Sequence, residues 1–190
     1  MKVALIYGST RKERQGIKGA RFVKNMLEKR GHEVSFIDAM EHPHPLLDKT
    51  YKEYAEDEAP KTMREVAGML ENADGVVVAA SEYNHSIPGP LKNLIDHYMQ
   101  EYFWKPSAIV GISAGSFGGM RAAMTLRAVL PEVGMPTIPS LFPITHVQDS
   151  FDDDGNAKDP AYEKRVKKFL DELEWYMRAF KAEREKGTPY

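Results

Sequence analysis

Three short segments carry side chains that could hold a planar, phosphorylated ligand and work on it. The richest is Ser81-Glu82-Tyr83-Asn84-His85-Ser86-Ile87-Pro88-Gly89-Pro90-Leu91-Lys92-Asn93-Leu94-Ile95-Asp96, which follows the apolar run Gly75 to Ala80 and leads into a helical pattern. Tyr83 offers an aromatic face, while Glu82, Asn84 and the backbone beside them offer donors and acceptors to a heteroaromatic edge. Pro88 and Pro90 preset a helix start and stiffen the turn. The plainer reading of the same residues is a strand-to-helix turn in which Asn84 caps and Tyr83 packs. His85, alone in its loop, is expected to be exposed rather than to act as a base.

The second segment is Gly8-Ser9-Thr10-Arg11-Lys12-Glu13-Arg14-Gln15-Gly16-Ile17, between a strand-like run and a helical one. Small residues let backbone N–H groups approach an anion, and Ser9 and Thr10 add hydroxyls. Arg11 and Arg14 can fork onto phosphate oxygens, and a helix N-terminus favours negative charge. Neither G-x-x-x-x-G-K-[ST] nor G-x-G-x-x-G is present, so a mononucleotide phosphate suits this loop better than a pyrophosphate. The third segment is Ser113-Ala114-Gly115-Ser116-Phe117-Gly118-Gly119, whose glycines permit positive φ and close approach to a flat ligand. Arg121 follows it, placed either to reach a ligand or to face solvent.

Gly111-Ile112-Ser113-Ala114-Gly115 also fits G-x-S-x-G, the nucleophile elbow of serine hydrolases. Its partners are awkward. His146 is the one histidine after Ser113, Glu132 is the one acid between them, and Asp149 and Asp152 come too late for the usual hydrolase order. His42-Pro43-His44-Pro45 and the charged run Tyr51 to Glu58 read as a proline-stiffened, solvated loop, because no third ligand stands at metal-binding spacing.

The elements that must position these loops are legible as apolar runs. Val3 to Tyr7, Val34 to Ile37, Val76 to Ala80 and Ala108 to Ile112 are continuous rather than alternating, as suits a parallel sheet covered on both faces; Met135 to Ile138 is a weaker fifth strand. Ile17, Ala20, Val23 and Leu27 share a helical face ended by Gly31. Leu91, Leu94, Ile95, Tyr98 and Met99 form a second stripe, and Ala122, Ala123, Leu126, Val129 and Leu130 a third, stopped by Pro131. Tyr162, Val166, Phe169, Leu170, Leu173, Met177 and Phe180 mark a long last helix. The alternation predicts a single α/β domain over residues 1–190, a flavodoxin-like three-layer sandwich with a five-stranded parallel sheet of order 2-1-3-4-5. In that order the loops after strands 1, 3 and 4 converge at one edge, and those are the three loops of unusual composition.

The chain has 190 residues, 42% of them hydrophobic and 28% charged, with a formal net charge of −2 and no cysteine. Thiolate catalysis, disulfides and cysteine-ligated metals are excluded, and the charge argues against nucleic-acid or membrane-surface partners. Met1 to Ile6 enters a strand directly, without the length of a signal segment, and no apolar run approaches membrane-spanning length; the expectation is a cytoplasmic protein.

Together the three loops resemble the NADPH-dependent FMN reductase family, in the flavodoxin-like group that includes quinone, azo-dye and chromate reductases. Gly8-Ser9-Thr10-Arg11 with Arg14 and Gly16 is similar to its phosphate loop. Glu82 to Gly89 with Leu91-Lys92-Asn93 and Ile95-Asp96 is similar to its most specific signature, and Ser113 to Gly119 with Arg121-Ala122 and Leu126-Arg127 to its third loop and following helix. Pro45-Leu46-Leu47-Asp48 resembles its loop after strand 2, and the likeness spans residues 1 to 140. Two positions depart from the family: Ser81 stands where a proline is usual, and Arg14 where many members have serine. The resemblance implies an FMN that takes hydride from NADPH or NADH and reduces flavin, quinone, azo or similar small-molecule acceptors in alternation, by ping-pong kinetics. It implies that Ser9, Arg11 and Arg14, with Gln15, Gly16 and Ile17, hold phosphate. Glu82, Tyr83 and Asn84 would frame the ring, and Ser113, Gly115, Ser116, Phe117 and Gly118 its other edge. No side chain is assigned as catalytic acid or base, and a homodimer or homotetramer is expected, with which the apolar breadth of Leu91 to Phe103 is compatible. An FMN-binding electron carrier or sensor without NAD(P)H turnover, and a serine hydrolase using Ser113, are the alternatives.

Overall fold

In the computed structural model, which describes residues 1–55 and 58–190, five strands run parallel in one sheet. They are β1 (Lys2–Tyr7), β2 (Glu33–Asp38), β3 (Gly75–Ser81), β4 (Ser107–Ile112) and β5 (Thr137–Ile144), in the order β2-β1-β3-β4-β5. The fold is the flavodoxin-like one expected. Alternate residues of each strand feed two cores. Ala4, Ile6, Val76, Val78 and Ile109 lie under α2 (Lys61–Glu71), α3 (Gly89–Asp96) and α4 (Met120–Glu132); Val3, Leu5, Tyr7, Val77 and Val110 lie under α1 (Gly16–Lys29) and α6 (Ala161–Arg184). Both faces being covered is why these strands read as unbroken apolar runs.

Four boundaries differ from the sequence expectation. β5 continues to Ile144 despite Pro139 and Pro143; it is the last strand of the sheet, where a missing N–H is tolerated. From α4, Arg127 donates to Thr137 Oγ1 and to the carbonyls of Ile138 and Pro139, covering β5. Pro131 lies inside the last turns of α4 rather than stopping it. Tyr98 and Met99 fall past the end of α3, and Met99 is exposed. Finally, α2 was not expected, although Met63, Val66, Ala67 and Leu70 follow helical spacing and are all buried.

Most described residues of the segment between β2 and α2 are exposed, as a solvated loop should be, with His44 turned inward. His44 accepts or donates at Nε2 with the Tyr98 hydroxyl at 2.6 Å, Tyr98 donates to the Met63 carbonyl, and the His44 ring meets His97 edge-on. Glu56 and Asp57 of the charged run lie outside the described residues. No group of three metal-ligating side chains occurs among the described residues. None of the helices described is long and apolar enough to cross a membrane.

Candidate functional site

The loop from Gly8 to Gln15 joins β1 to α1. α1 starts against the sheet because Gly16 has no side chain: a Cβ there would lie 2.5 Å from Ser81 Oγ and 2.7 Å from the Tyr7 hydroxyl. Its cap residue, Gln15, makes no side-chain capping bond, so the first N–H groups of the helix are left for solvent or a ligand. Ser9 is buried and its hydroxyl lies 2.5 Å from the Tyr83 hydroxyl. That contact ties the loop after β1 to the loop after β3. Arg11 is exposed, with no ion pair or hydrogen bond among the described residues.

Arg14 is not open in the same way. Its guanidinium forks onto the Asp38 carboxylate at the end of β2, with Nη2 to Oδ2 at 2.5 Å, and Nη1 also donates to the Ser9 carbonyl at 2.7 Å. Asp38 carries no sequence signal: its partner stands 24 residues away and meets it only because β1 and β2 are neighbours.

The loop after β3 turns tightly. Tyr83 and Ser86 exchange backbone hydrogen bonds across Asn84 and His85, which both have positive φ, 48° and 66°. Asn84 and His85 are therefore at an exposed tip, as left-handed central residues of a short turn are. Asn84 does not cap α3 (Gly89–Asp96), whose cap residue is Pro88. Glu82 has turned to the next loop: its carboxylate accepts from the Arg121 N–H at 3.1 Å and the Arg121 guanidinium at 3.3 Å, at the start of α4. Ser81 contributes a hydroxyl 3.4 Å from that of Tyr7. Burial pushes the Tyr7 phenol above its ordinary value, so it stays neutral beneath the site.

The loop after β4 is shaped by two glycines. Gly118 and Gly119 have positive φ, and a Cβ on Gly119 would strike the Ile112 N at 2.3 Å. Gly115 does not have a positive φ, so that reason for a glycine does not apply to it, and the space beside its Cα is open. Phe117 is 64% exposed, with the Arg121 guanidinium over its ring at 4.6 Å.

These loops enclose a cavity of about 280 Å³ at the C-terminal edge of β1, β3 and β4. Of the residues named from the sequence, Ser9, Arg11, Arg14, Gln15, Gly16, Glu82, Tyr83 and Ser113 line it. Ile17, Asn84, Gly115, Ser116, Phe117 and Gly118 do not line it. Glu13, Ser81, Ile112, Ala114 and Val147 also line it and were not singled out as ligand contacts. Val147 opens α5 (Val147–Ser150), beyond the part of the sequence that resembled the family; its neighbour Gln148 reaches the Ala114 carbonyl. The donor set of the cavity suits an anion at one end, with Arg11, Ser9 and a helix start, and a flat polar group between Tyr83 and Ser113 at the other.

The same geometry does not make a hydrolase. Ser113 donates its hydroxyl hydrogen to the Gly115 carbonyl at 2.9 Å, and His146 is exposed. Among the described residues, left-handed non-glycine backbone occurs at Asn84, His85, Trp104 and His146, and not at Ser113, where an elbow would be strained.

Comparison with known proteins agrees. The family described as NADPH-dependent FMN reductase matches residues 1–149. A quinone reductase of Pseudomonas putida is 32% identical over 165 residues, covering 83% of this chain and 84% of its own. A 2-hydroxy-1,4-benzoquinone reductase of a Burkholderia species is 26% identical over 185 residues, covering 94% and 97%. Among solved structures, the flavoenzyme NAD(P)H:(acceptor) oxidoreductase FerB of Paracoccus denitrificans superposes with a TM-score of 0.69 at 25% identity, over 95% of this chain and 97% of that one. The chain belongs to the NADPH-dependent FMN reductase family, and is an FMN-binding, NAD(P)H-dependent oxidoreductase.

Proposed function

We propose that this member of the family reduces quinone-type acceptors at the cavity between the loops after β1, β3 and β4. The observation that carries the reading is the meeting there of Arg11, which has no partner among the described residues, and a helix start with the aromatic wall of Tyr83 and the loop at Ser113 and Ala114. FMN, when bound, supplies the redox chemistry, accepting hydride from NAD(P)H and passing reducing equivalents to the acceptor.

The chain's own residues do the holding. Arg11, Ser9, the Gln15 side chain and the N–H groups opening α1 receive the phosphate, with Gly16 permitting close approach. The Ser9–Tyr83 contact fixes the Tyr83 ring beside the flat part of the ligand. Ser113 borders the opposite side, its hydroxyl turned into its own loop. Asn84, Ser116 and Phe117 are exposed at or beyond the rim and meet whatever occupies the mouth, while Gly118 is buried against Pro143 and shapes the loop beneath them. A single open mouth serves nicotinamide and acceptor in turn, and one site visited alternately gives ping-pong kinetics. Initial rates measured against NADPH at several benzoquinone concentrations should give parallel double-reciprocal lines. Intersecting lines would overturn the shared site.

We also assign the protein to the cytoplasm and to a homo-oligomeric state. The breadth of apolar residues from Leu91 to Phe103 is no support for the latter, because Leu91, Leu94, Ile95, Tyr98 and Tyr102 are buried within the protomer and Phe103 packs on Tyr190. The support is instead the loop after β2, where Leu46 is 87% exposed beside the half-exposed Leu47. Light scattering of the protein and of Leu46→Glu decides it: a multimer that the substitution dissociates fits, and a monomeric wild type does not.

A further inference from the structure

Arg14 stands in the phosphate loop, yet its hydrogen-bonding edge is spent inside the protein. Nη1 donates to the Ser9 carbonyl, both terminal nitrogens bond Asp38, and the guanidinium lies 5.5 Å from the Tyr7 ring centroid. The side chains of Arg14 and Asp38 are 12% and 5% exposed. Asp38 is held from the other side too, accepting the Met40 N–H at Oδ1, and its backbone carbonyl accepts from Glu41, His42 and the His42 ring. Swinging Arg14 out to a phosphate would strand a buried carboxylate, which a nearby anion would further destabilise. An arginine already forked onto a carboxylate is also a poor source of net charge for a second anion.

We propose that Arg14 is a positioning residue: it clamps the β1–α1 loop, through the Ser9 carbonyl, to Asp38 at the end of β2, and so presets the loop's N–H groups and the Ser9 hydroxyl for the phosphate. The charge that meets the phosphate then comes from Arg11. Asp38, outside every motif, is the other half of the device. The role in phosphate binding rests on the FMN reading above; the clamp itself does not.

Two opposite outcomes separate a clamp from a direct ligand. If Arg14 bound phosphate directly, Asp38→Asn would free it and FMN would bind as well or better; Arg14→Lys would keep the charge and most of the affinity. A clamp fails in both, because Asn carries no charge and Lys cannot fork. The experiment strips FMN and measures FMN and riboflavin dissociation constants by flavin fluorescence for wild type, Arg14→Lys, Asp38→Asn and the double variant. Hydrogen exchange of residues 9–16 is followed in the flavin-free proteins. Each single variant should bind FMN about tenfold more weakly, with riboflavin binding close to wild type and the double variant no worse than either single. Exchange of the loop amides should speed up in both. Wild-type FMN affinity in Asp38→Asn or Arg14→Lys overturns the proposal. A wild type that binds riboflavin as well as FMN sinks the phosphate reading instead; loop exchange then decides the clamp, faster in both variants supporting it and unchanged overturning it.

Discussion

Lys105 and Asp74 at one end of the sheet and Arg11 at the other are treated in opposite ways. At the N-terminal end, Lys105 is buried and donates to the carbonyls of Leu70, Glu71 and Glu101, closing the end of α2. Beside it, Asp74 accepts the Lys2 N–H and pairs with Lys181 and Arg184 of α6. Every bond there is made within the protein. At the C-terminal end, Arg11 has no partner among the described residues, the start of α1 is uncapped, and backbone at Asn84, His85, Gly118 and Gly119 is held in left-handed conformations. Lys105 and Asp74 are satisfied without a ligand, and Arg11 and the start of α1 are not. Polar groups that satisfy each other stabilise; polar groups left open, on a frame that keeps them in place, bind.

The largest effect should come from the satisfied groups. Lys105→Met strands three carbonyls and should cost about 3 kcal/mol of folding stability in urea unfolding, while the folded fraction keeps wild-type FMN affinity. A change in FMN affinity would break the separation of the two ends. Arg11→Ala should do the reverse, weakening FMN about tenfold, or about 1.4 kcal/mol, with the flavin-free melting temperature close to wild type. Loss of stability there would mean that Arg11 has structural work after all.

Asp74→Asn sharpens the comparison through pH. Burial opposes ionisation of Asp74, but the Lys2 N–H and the cations of α6 outweigh it and hold the carboxyl below its ordinary 3.8. A depressed folded value means that the ionised form is favoured in the folded state. Its contribution is therefore complete above the ordinary value and is lost as pH falls through the folded one. The variant should be about 1 kcal/mol less stable at neutral pH, and the gap should close in acid. A gap independent of pH would mean that packing, not charge, is what Asp74 supplies. The smallest effect is expected of Tyr83→Phe. It removes the contact with Ser9 but keeps the ring, and should cost about 0.5 kcal/mol in FMN binding and less in stability.

Much of this was legible beforehand. Continuous apolar runs reveal a two-sided parallel sheet, and the strand order then brings three odd loops to one edge. What was misread has physical reasons. β5 hides its second half behind Pro139 and Pro143, which only an edge strand tolerates. α2 has a clear helical stripe, but it directly follows a charged, proline-bounded stretch whose composition is that of a loop. Within the site, the Arg14–Asp38 and Ser9–Tyr83 contacts join residues 24 and 74 apart, so no local pattern announces them. Glu82 lines the cavity and is also held against the start of α4, which offers it an N–H and a guanidinium together, a contact that no local pattern announces.

The central claim is that the open end of the sheet holds FMN and that one site serves donor and acceptor in turn. It is tested most directly by anaerobic absorbance of the FMN-loaded protein, titrated first with NADPH alone and then with benzoquinone. The visible flavin absorbance should fall to completion with one equivalent of NADPH, with no acceptor present, and return on adding one equivalent of quinone. Flavin absorbance that NADPH leaves unchanged until quinone is present would contradict the account.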